Sequence, residues 1–211
     1  DGGDVPLGSR LLGSLAGLAT DVASTTVTIP PATLGGTYYI LAQSDSAGAV
    51  AEYTETNNVR SSGQVRIGAD LSLTVLTAPE YAGSGQVINV GDTTTNIGNA
   101  DAPPTVTRFY WSINTTLDAS DTLIGARTVD AIDAGAFNSG TAPVTIPAAA
   151  TGSYYLFASA DDLHELSEMS ESNNTKKLKV NTGPDLVVSS LDSAAASEPG
   201  GTLSITDSTQ N

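Results

Sequence analysis

The chain repeats part of its own sequence at a constant distance, and this repeat limits the possible folds more than any other feature. The run GTYYILAQSD begins at Gly36, and the run GSYYLFASAD begins at Gly152. Aligned residues such as Tyr38 and Tyr154 lie 116 positions apart, and the same offset relates the ETNN and ESNN motifs that follow. A constant offset over such a span is typical of a tandem array of one structural unit.

The repeat extends in both directions from these stretches. The first ten residues match residues 118–127 at an offset of 117, and residues 70–73 match residues 185–188 at an offset of 115. The alignment predicts the C-terminal part of one unit at 1–67, a complete unit at 68–182 and the N-terminal part of a third at 183–211. A unit of about 115 residues can bury a core. Because the chain begins within a unit, we expect it to be a piece of a longer protein or a processed form.

Short runs of alternating residues fill the complete unit, separated by turns rich in Gly, Pro and Asn. Leu71 and Leu73, for example, alternate with Ser72 and Thr74. This period of two predicts half-buried strands. We place them at 70–77, 87–95, 105–113, 123–129, 143–146, 154–160 and 175–180. Short strands without any helical period predict an all-β fold, an immunoglobulin-like antiparallel β-sandwich in tandem repeats of about 115 residues.

The apolar faces of these strands predict the core. Ile113 is expected to share the inner face of the third strand with Phe109 and Trp111. The single Trp is placed where immunoglobulin-type sandwiches bury one, although it is equally consistent with general core packing. The residues expected in the core are Leu71, Leu73, Ile88, Val90, Phe109, Trp111, Val144, Ile146, Leu156, Leu178 and Val180.

The composition argues against several classes of protein. The formal net charge of -15 repels phosphate backbones and so argues against nucleic-acid binding. The chain has no cysteine, which excludes disulfides and thiolate metal sites. No apolar run approaches the length that crosses a bilayer. Abundant Thr, Ser, Ala, Gly and Asp with few Lys suggest an acidic, secreted or cell-surface β-protein.

Several motifs together resemble one known family. They are Asp70-Leu71, Arg108-Phe109-Tyr110, the turn from Leu117 to Gly125, the Gly152–Tyr155 motif and the Glu168–Asn174 motif. This pattern resembles CARDB, the cell adhesion related domain found in bacteria, over essentially the whole chain. The resemblance implies an immunoglobulin-like fold in extracellular, often tandem, surface proteins of prokaryotes. It implies no single ligand or activity, because function does not follow from fold alone.

The sequence offers little for catalysis. His164 is the only histidine, and Gly48 stands at its position in the first copy. One histidine without cysteine excludes most pairs of nucleophile and base. A solvated loop histidine is therefore the favoured interpretation, and the chain is not predicted to be an enzyme.

A polar turn is the first candidate for a metal site. Asn114, Asp118 and Asp121 place side-chain oxygens at a spacing that suits calcium, and Asp1 and Asp4 repeat part of the pattern. The turn lacks the glycine and glutamate of an EF-hand. The alternative is that the aspartates cap the turn through Asx-type hydrogen bonds. Calcium is the only cofactor that the sequence suggests.

A second acidic group lies near the end of the complete unit. Its members are Asp161, Asp162, Glu165, Glu168, Glu171, Asn173 and Asn174. Those that recur in the first copy do so as Asp45, Glu52, Glu55, Asn57 and Asn58. Recurrence within one chain favours a structural role over a metal site, and the Asn pair is expected to shape a tight turn into the last strand. Asn114 and Asn173 also begin glycosylation sequons, which such a composition produces by chance.

Two classes of function remain. The first is a structural or adhesive surface protein, a filament or stalk in which copies of the chain join head-to-tail without closing a ring. The tail at 183–211 of one copy is expected to pack on residues 1–67 of the next. The alternative is an accessory module of a larger secreted protein that binds carbohydrate or protein. Its candidate sugar-binding aromatics are Tyr53, Tyr81 and Tyr110.

Overall fold

A computed structural model describes residues 3–184, 186–195 and 197–211. The described residues are all β and contain no helix, which confirms the predicted fold class. The chain divides into two compact units, Asp1–Ile67 and Gly68–Asn211. The strands are β1 (Gly36–Gln43), β2 (Val59–Ile67), β3 (Leu71–Thr77), β4 (Tyr81–Ala82), β5 (Val87–Asn96), β6 (Thr105–Ser112), β7 (Thr122–Val129), β8 (Phe137–Thr145), β9 (Gly152–Ser159), β10 (Thr175–Thr182), β11 (Val187–Ser193) and β12 (Ile205–Gln210).

Two sheets build the sandwich of the second unit. One has the strand order β4-β10-β9-β6-β7, and the other has the order β3-β5-β8. Neighbouring strands are antiparallel, with β4 and β10 as the parallel exception. β5 is the central strand of the smaller sheet, and β3, β5 and β8 together carry one of the two inner faces of the sandwich.

The predicted core lies between these sheets. Phe109 and Trp111 are buried against the opposing apolar strands, and Trp111 stacks on Tyr154 with 5.1 Å between ring centroids. Every residue that was expected in the core is buried except Leu178, which is half-buried and packs against it.

The expectation for Ile113 is wrong, because this side chain is 75% exposed. β6 ends at Ser112, and the buried hydroxyl of Ser112 accepts a hydrogen bond from the N–H of Asn114 at 3.1 Å. The chain therefore leaves the strand one residue early, and the alternation that would have turned Ile113 inward does not reach it.

The N-terminal unit contains one hairpin, β1–β2, which repeats the pairing of β9 and β10. Gln43 pairs with Val59 just as Ser159 pairs with Thr175, 116 positions later. β2 has nine residues and β10 has eight, and a shift in register between Tyr39 and Leu41 accommodates the additional residue.

The C-terminal hairpin β11–β12 repeats the pairing of β3 and β5. Val187 pairs with Gln210 as Ser72 pairs with Thr95, 115 positions earlier. Both hairpins shift register at aligned positions, between Val188 and Ser190 in one and between Leu73 and Val75 in the other. All residues of β11 and β12 are exposed, whereas β3 and β5 contribute to the core.

Candidate functional site

The loop between β9 and β10 is held together by one buried aspartate. Asp161 has a left-handed backbone with a φ of 42°, and its carboxylate accepts hydrogen bonds from the N–H groups of Glu165 at 3.3 Å and Leu166 at 2.9 Å. Burial raises the pKa of Asp161, and these two donors oppose that rise. The bonds close the loop into a compact turn that positions Glu168.

Glu168 connects this loop to the first strand of the sandwich. Its side chain is buried, and one carboxylate oxygen accepts the backbone N–H of Leu71 in β3. The other oxygen accepts the side-chain amide of Asn174 at 2.9 Å. The N–H of Met169 donates to the carbonyl of Ala69 at 2.9 Å. A single carboxylate therefore fastens the end of the domain to its beginning.

The environment of Glu168 favours its neutral form. Burial raises its pKa from 4.5 to about 7, because a charged carboxylate loses its hydration inside the protein. The N–H of Leu71 and the amide of Asn174 act in the opposite direction, since they stabilise the charged form. The nearby carboxylates of Glu171 and Asp161 raise the pKa further.

The Asn pair acts differently from the prediction. Neither Asn173 nor Asn174 has a positive φ. Asn173 instead donates its side-chain amide to Asp70 at 2.8 Å, and its carbonyl accepts the N–H of Leu73 at 3.3 Å. The side chain of Asn173 thus links the start of β10 to the start of β3, while that of Asn174 donates to Glu168. A contact across about a hundred residues leaves no local signal in the sequence.

The loop between β1 and β2 has the same internal hydrogen bonds. Asp45 has a φ of 43° and accepts the N–H groups of Ala49 at 2.8 Å and Val50 at 2.9 Å. The N–H of Glu52 donates to Glu55 at 2.9 Å, as that of Glu168 donates to Glu171 at 3.3 Å. Glu52 is nevertheless exposed, whereas its counterpart is buried.

The remaining members of the predicted acidic group make other contacts. Asp162 accepts the hydroxyl of Tyr110 at 2.6 Å and pairs with Arg108 at 3.3 Å. His164 and Glu171 are exposed and lie 3.3 Å apart. Among the described residues, no group of three or more His, Asp or Glu side chains is placed to hold a metal ion.

The turn predicted to bind calcium is organised by its own carboxylates. Asp118 accepts the N–H and the hydroxyl of Ser120 at 2.8 and 2.6 Å, and these donors lower the pKa of Asp118. Asp121 accepts the N–H of Asp118 at 2.9 Å, and Asn114 accepts the N–H of Thr116 at 2.7 Å. These are the Asx-type bonds of the alternative interpretation, and they leave oxygen lone pairs directed to solvent.

The partial repeat of that turn lies in the other unit. Asp4 belongs to the N-terminal unit, and Asp1 lies outside the described residues. Calcium binding at Asn114, Asp118 and Asp121 stays a prediction.

Sequence reasoning missed a buried ion pair between the two sheets. Arg127 of β7 donates to both oxygens of Asp92 in β5, at 2.7 and 2.6 Å. Its Nη1 atom donates to Asn138 of β8 at 2.7 Å. The side chain of Asp92 is fully buried, and two parallel hydrogen bonds make this the strong form of a carboxylate–guanidinium contact. The recurrence of Asp92 as Asp207 was the available signal.

A shallow pocket opens beside the predicted calcium turn. It has a volume of about 260 Å³, and its lining includes Trp111, Tyr154, Ser120 and Asp121. The indole N–H of Trp111 is buried and has no hydrogen-bond partner among the described residues. Of the three tyrosines considered for sugar binding, Tyr53 and Tyr81 are exposed, and burial raises the pKa of the third, Tyr110.

Comparison with known proteins identifies the sandwich. The CARDB family profile matches residues 68–178, more than half of the chain. The chain belongs to the CARDB family. No curated protein matches it. The profile match confirms the family that the sequence motifs resembled.

Solved structures similar to this CARDB chain include domains and a larger enzyme. The CARDB domain of a Pyrococcus furiosus protein, solved in complex with di-metal ions, aligns with 55% of this chain and 89% of its own at 22% identity and a TM-score of 0.43. A domain of a Methanosarcina acetivorans protein described as a cell surface protein aligns with 56% and 94% at 23% identity and a TM-score of 0.42. A β-glucosidase of Listeria innocua aligns with 55% of this chain and 16% of its own at 16% identity and a TM-score of 0.39. In the described part of this chain, no helix is long and apolar enough to cross a membrane.

Proposed function

We propose that this CARDB chain is an extracellular structural or adhesive protein of the cell surface. Tandem sandwiches join head-to-tail into a filament or stalk, and the role is non-catalytic. The buried network around Glu168 supports a mechanical role, because its described partners are backbone N–H groups and amides that fasten strands together.

One observation carries this proposal, the exposed apolar face of the β11–β12 hairpin. Its register matches that of β3 and β5, so each exposed residue has a counterpart in the complete sandwich. The exposed apolar residues with buried counterparts, which lie in or just before the two strands, are Leu186, Val188, Leu203 and Ile205. Their buried counterparts are Leu71, Leu73, Ile88 and Val90. Contiguous exposed apolar surface marks an interaction site, and a two-stranded hairpin is at best marginally stable alone.

The partner that fits this face is another copy of the chain. In the complete sandwich, β5 pairs with β8, and residues 20–28 are the counterparts of β8 in the N-terminal unit. The hairpin of one copy therefore adds to residues 20–28 of the next, in the register of β3 and β5. Such a contact joins two different surfaces, so it propagates instead of closing.

The test is the state of the purified chain in solution. Sedimentation velocity over a range of concentrations is expected to give a growing series of species, and negative-stain microscopy is expected to give linear particles. A monodisperse monomer at all concentrations would contradict the filament.

The pocket beside Trp111 favours a second candidate function, a module that binds carbohydrate or protein. Trp111 lines this pocket together with Asp121 and Ser120, and its indole N–H, which has no partner among the described residues, can donate to a ligand hydroxyl or carbonyl. Quenching or shift of the single Trp fluorescence during titration with neutral and acidic oligosaccharides tests this function. Trp111→Phe keeps an aromatic ring but removes both the donor and the fluorophore, so its binding is compared with that of the wild type by isothermal titration calorimetry.

A further inference from the structure

The two residues of the buried ion pair in the complete sandwich have counterparts in the two incomplete units. One counterpart lies near the start of the chain and the other near its end. Arg127 corresponds to Arg10 at an offset of 117. Asp92 corresponds to Asp207 at an offset of 115. In sequence, the entire complete unit, residues 68–182, separates Arg10 from Asp207.

Arg10 already makes one of the contacts that its counterpart makes. Its Nη1 atom donates to Asp21 at 2.7 Å, the distance at which Nη1 of Arg127 donates to Asn138. Asp21 and Asn138 are aligned at the offset of 117 that relates the two arginines. The guanidinium is thus anchored in the same way in both units.

Asp207 occupies the position in its hairpin that its counterpart occupies in the sandwich. It lies opposite Leu191, as Asp92 lies opposite Leu76. Asp207 is exposed, whereas Asp92 is fully buried against the guanidinium. The hairpin therefore presents a carboxylate at the edge of its exposed apolar face.

We propose that Asp207 of one copy binds Arg10 of the next copy through the bidentate ion pair that Asp92 and Arg127 form within the sandwich. This inference rests on the proposed head-to-tail assembly and names the contact that sets its register. Charge complementarity supports it, since Arg10 is a cation, Asp207 is an anion, and both side chains are exposed. Within the sandwich the Asp92–Arg127 pair is buried, and the hairpin is expected to shield the Asp207–Arg10 pair in the same way.

One neighbouring position differs between the two environments. Arg127 lies across Gly140, where an added Cβ would meet its side-chain atoms at 2.8 to 3.0 Å. Ala23 stands at the aligned position in the N-terminal unit. Because the end of an arginine side chain is flexible, Arg10 accommodates the methyl group with a small displacement, and the pair keeps its two hydrogen bonds.

Charge reversal of either residue tests the contact. Arg10→Glu places two carboxylates together at the junction, and Asp207→Arg places two guanidinium groups together. Each variant alone is expected to weaken self-association by at least about thirtyfold in sedimentation velocity, because like charges at a desolvated contact repel. Asp192→Arg reverses a charge on the same hairpin outside the contact and is expected to leave assembly unchanged.

A mixture of the two variants distinguishes contacts between copies from contacts within one chain. In an equimolar mixture, the Asp207 of the Arg10→Glu chain meets the Arg10 of the Asp207→Arg chain, and the reversed pair forms at the next junction. Assembly is expected to return in the mixture, although neither variant assembles alone. Restoration in a single chain that carries both reversals, without restoration in the mixture, would indicate an internal contact and overturn the inference.

The wild-type chain separates failure of this inference from failure of the proposed function. If the wild type stays monomeric, the head-to-tail assembly is wrong. If the wild type assembles and both reversals assemble equally well, the assembly stands and the Arg10–Asp207 contact is wrong.

Discussion

At the scale of single residues, the carboxylate of Glu168 loses its contacts with water on folding and accepts two hydrogen bonds instead. The two donors approach it from different directions. One oxygen accepts the N–H of Leu71 and the other accepts the amide of Asn174. A carboxylate suits this position because both of its oxygens accept, whereas the amide of a glutamine would direct its NH2 group at one of the two donors. The cost is the burial of an acid, which raises its pKa.

The pKa of Glu168 predicts how stability depends on pH. In the unfolded chain the group titrates near 4.5, and in the folded chain near 7, so between these values the folded state binds more protons. The contribution of Glu168 to the free energy of unfolding therefore falls by up to about 3 kcal/mol as pH rises through this window. Above the window this contribution is constant. Urea unfolding at pH 5, 6, 7 and 8 measures this slope.

Glu168→Gln is the control for that measurement, because it cannot titrate. The slope of the variant between pH 5 and 7 is expected to be shallower than that of the wild type. Glu171→Gln, at an exposed neighbour, is expected to change it far less. Equal slopes in the wild type and Glu168→Gln would show that Glu168 stays ionised when buried.

Removal of the carboxylate is a separate prediction. Glu168→Ala leaves the N–H of Leu71 and the amide of Asn174 without this acceptor, and it is expected to lower the free energy of unfolding by about 2–4 kcal/mol at pH 8. Glu80→Ala, at an exposed site, is the matched control and is expected to have an effect within about 0.5 kcal/mol. Similar midpoints for the two variants in chemical unfolding would contradict the role of Glu168 as a fastener.

Recurrence in the sequence identified which residues matter but not what they contact. Glu168 and Asn173 were recognised as structural because they recur at one offset, yet their partners Leu71 and Asp70 lie about a hundred residues earlier. Arg127 recurs as well, and its pairing with a residue 35 positions away became visible only in the fold. Side-chain contacts between distant strands depend on topology, which local alternation does not encode.

At the scale of elements, strands with clear alternation were predicted well and strands without it were not. β3, β5 and β6 lie within a residue or so of their predicted bounds. β8 begins six residues before the predicted position, at Phe137, because the stretch through Asn138, Ser139 and Gly140 has no apolar period. Pairing with β5 holds these residues in the sheet regardless of their weak strand propensity.

The polar turn between β6 and β7 carries the calcium prediction. Asn114, Asp118 and Asp121 already accept backbone N–H groups, and calcium would use their remaining lone pairs with backbone carbonyls and water. If calcium binds, chelation is expected to lower the Tm of the sandwich by an amount that depends on calcium concentration. Asp121→Asn is expected to reduce this shift, and Asp130→Asn serves as the control outside the turn. No change in Tm across a chelator titration would exclude the site.

At the scale of the whole molecule, two electrostatic effects oppose each other during assembly. Each copy has a formal net charge of -15, so two copies repel at long range. The proposed junction joins one cation to one anion inside apolar surroundings, where salt screens little. The long-range repulsion is therefore the component that salt changes most.

The dependence of assembly on salt follows from this difference. Raising sodium chloride from about 0.01 to about 0.2 M shortens the screening length from about 30 Å to less than 10 Å, which removes most repulsion between copies while the buried pair persists. The weight-average mass in sedimentation velocity is expected to rise over this range at constant protein concentration. Arg10→Glu is expected to stay small at every salt concentration, because screening cannot supply the missing contact. A wild-type mass that falls steadily as salt rises would indicate that exposed ion pairs hold the copies together, instead of a buried pair within an apolar junction.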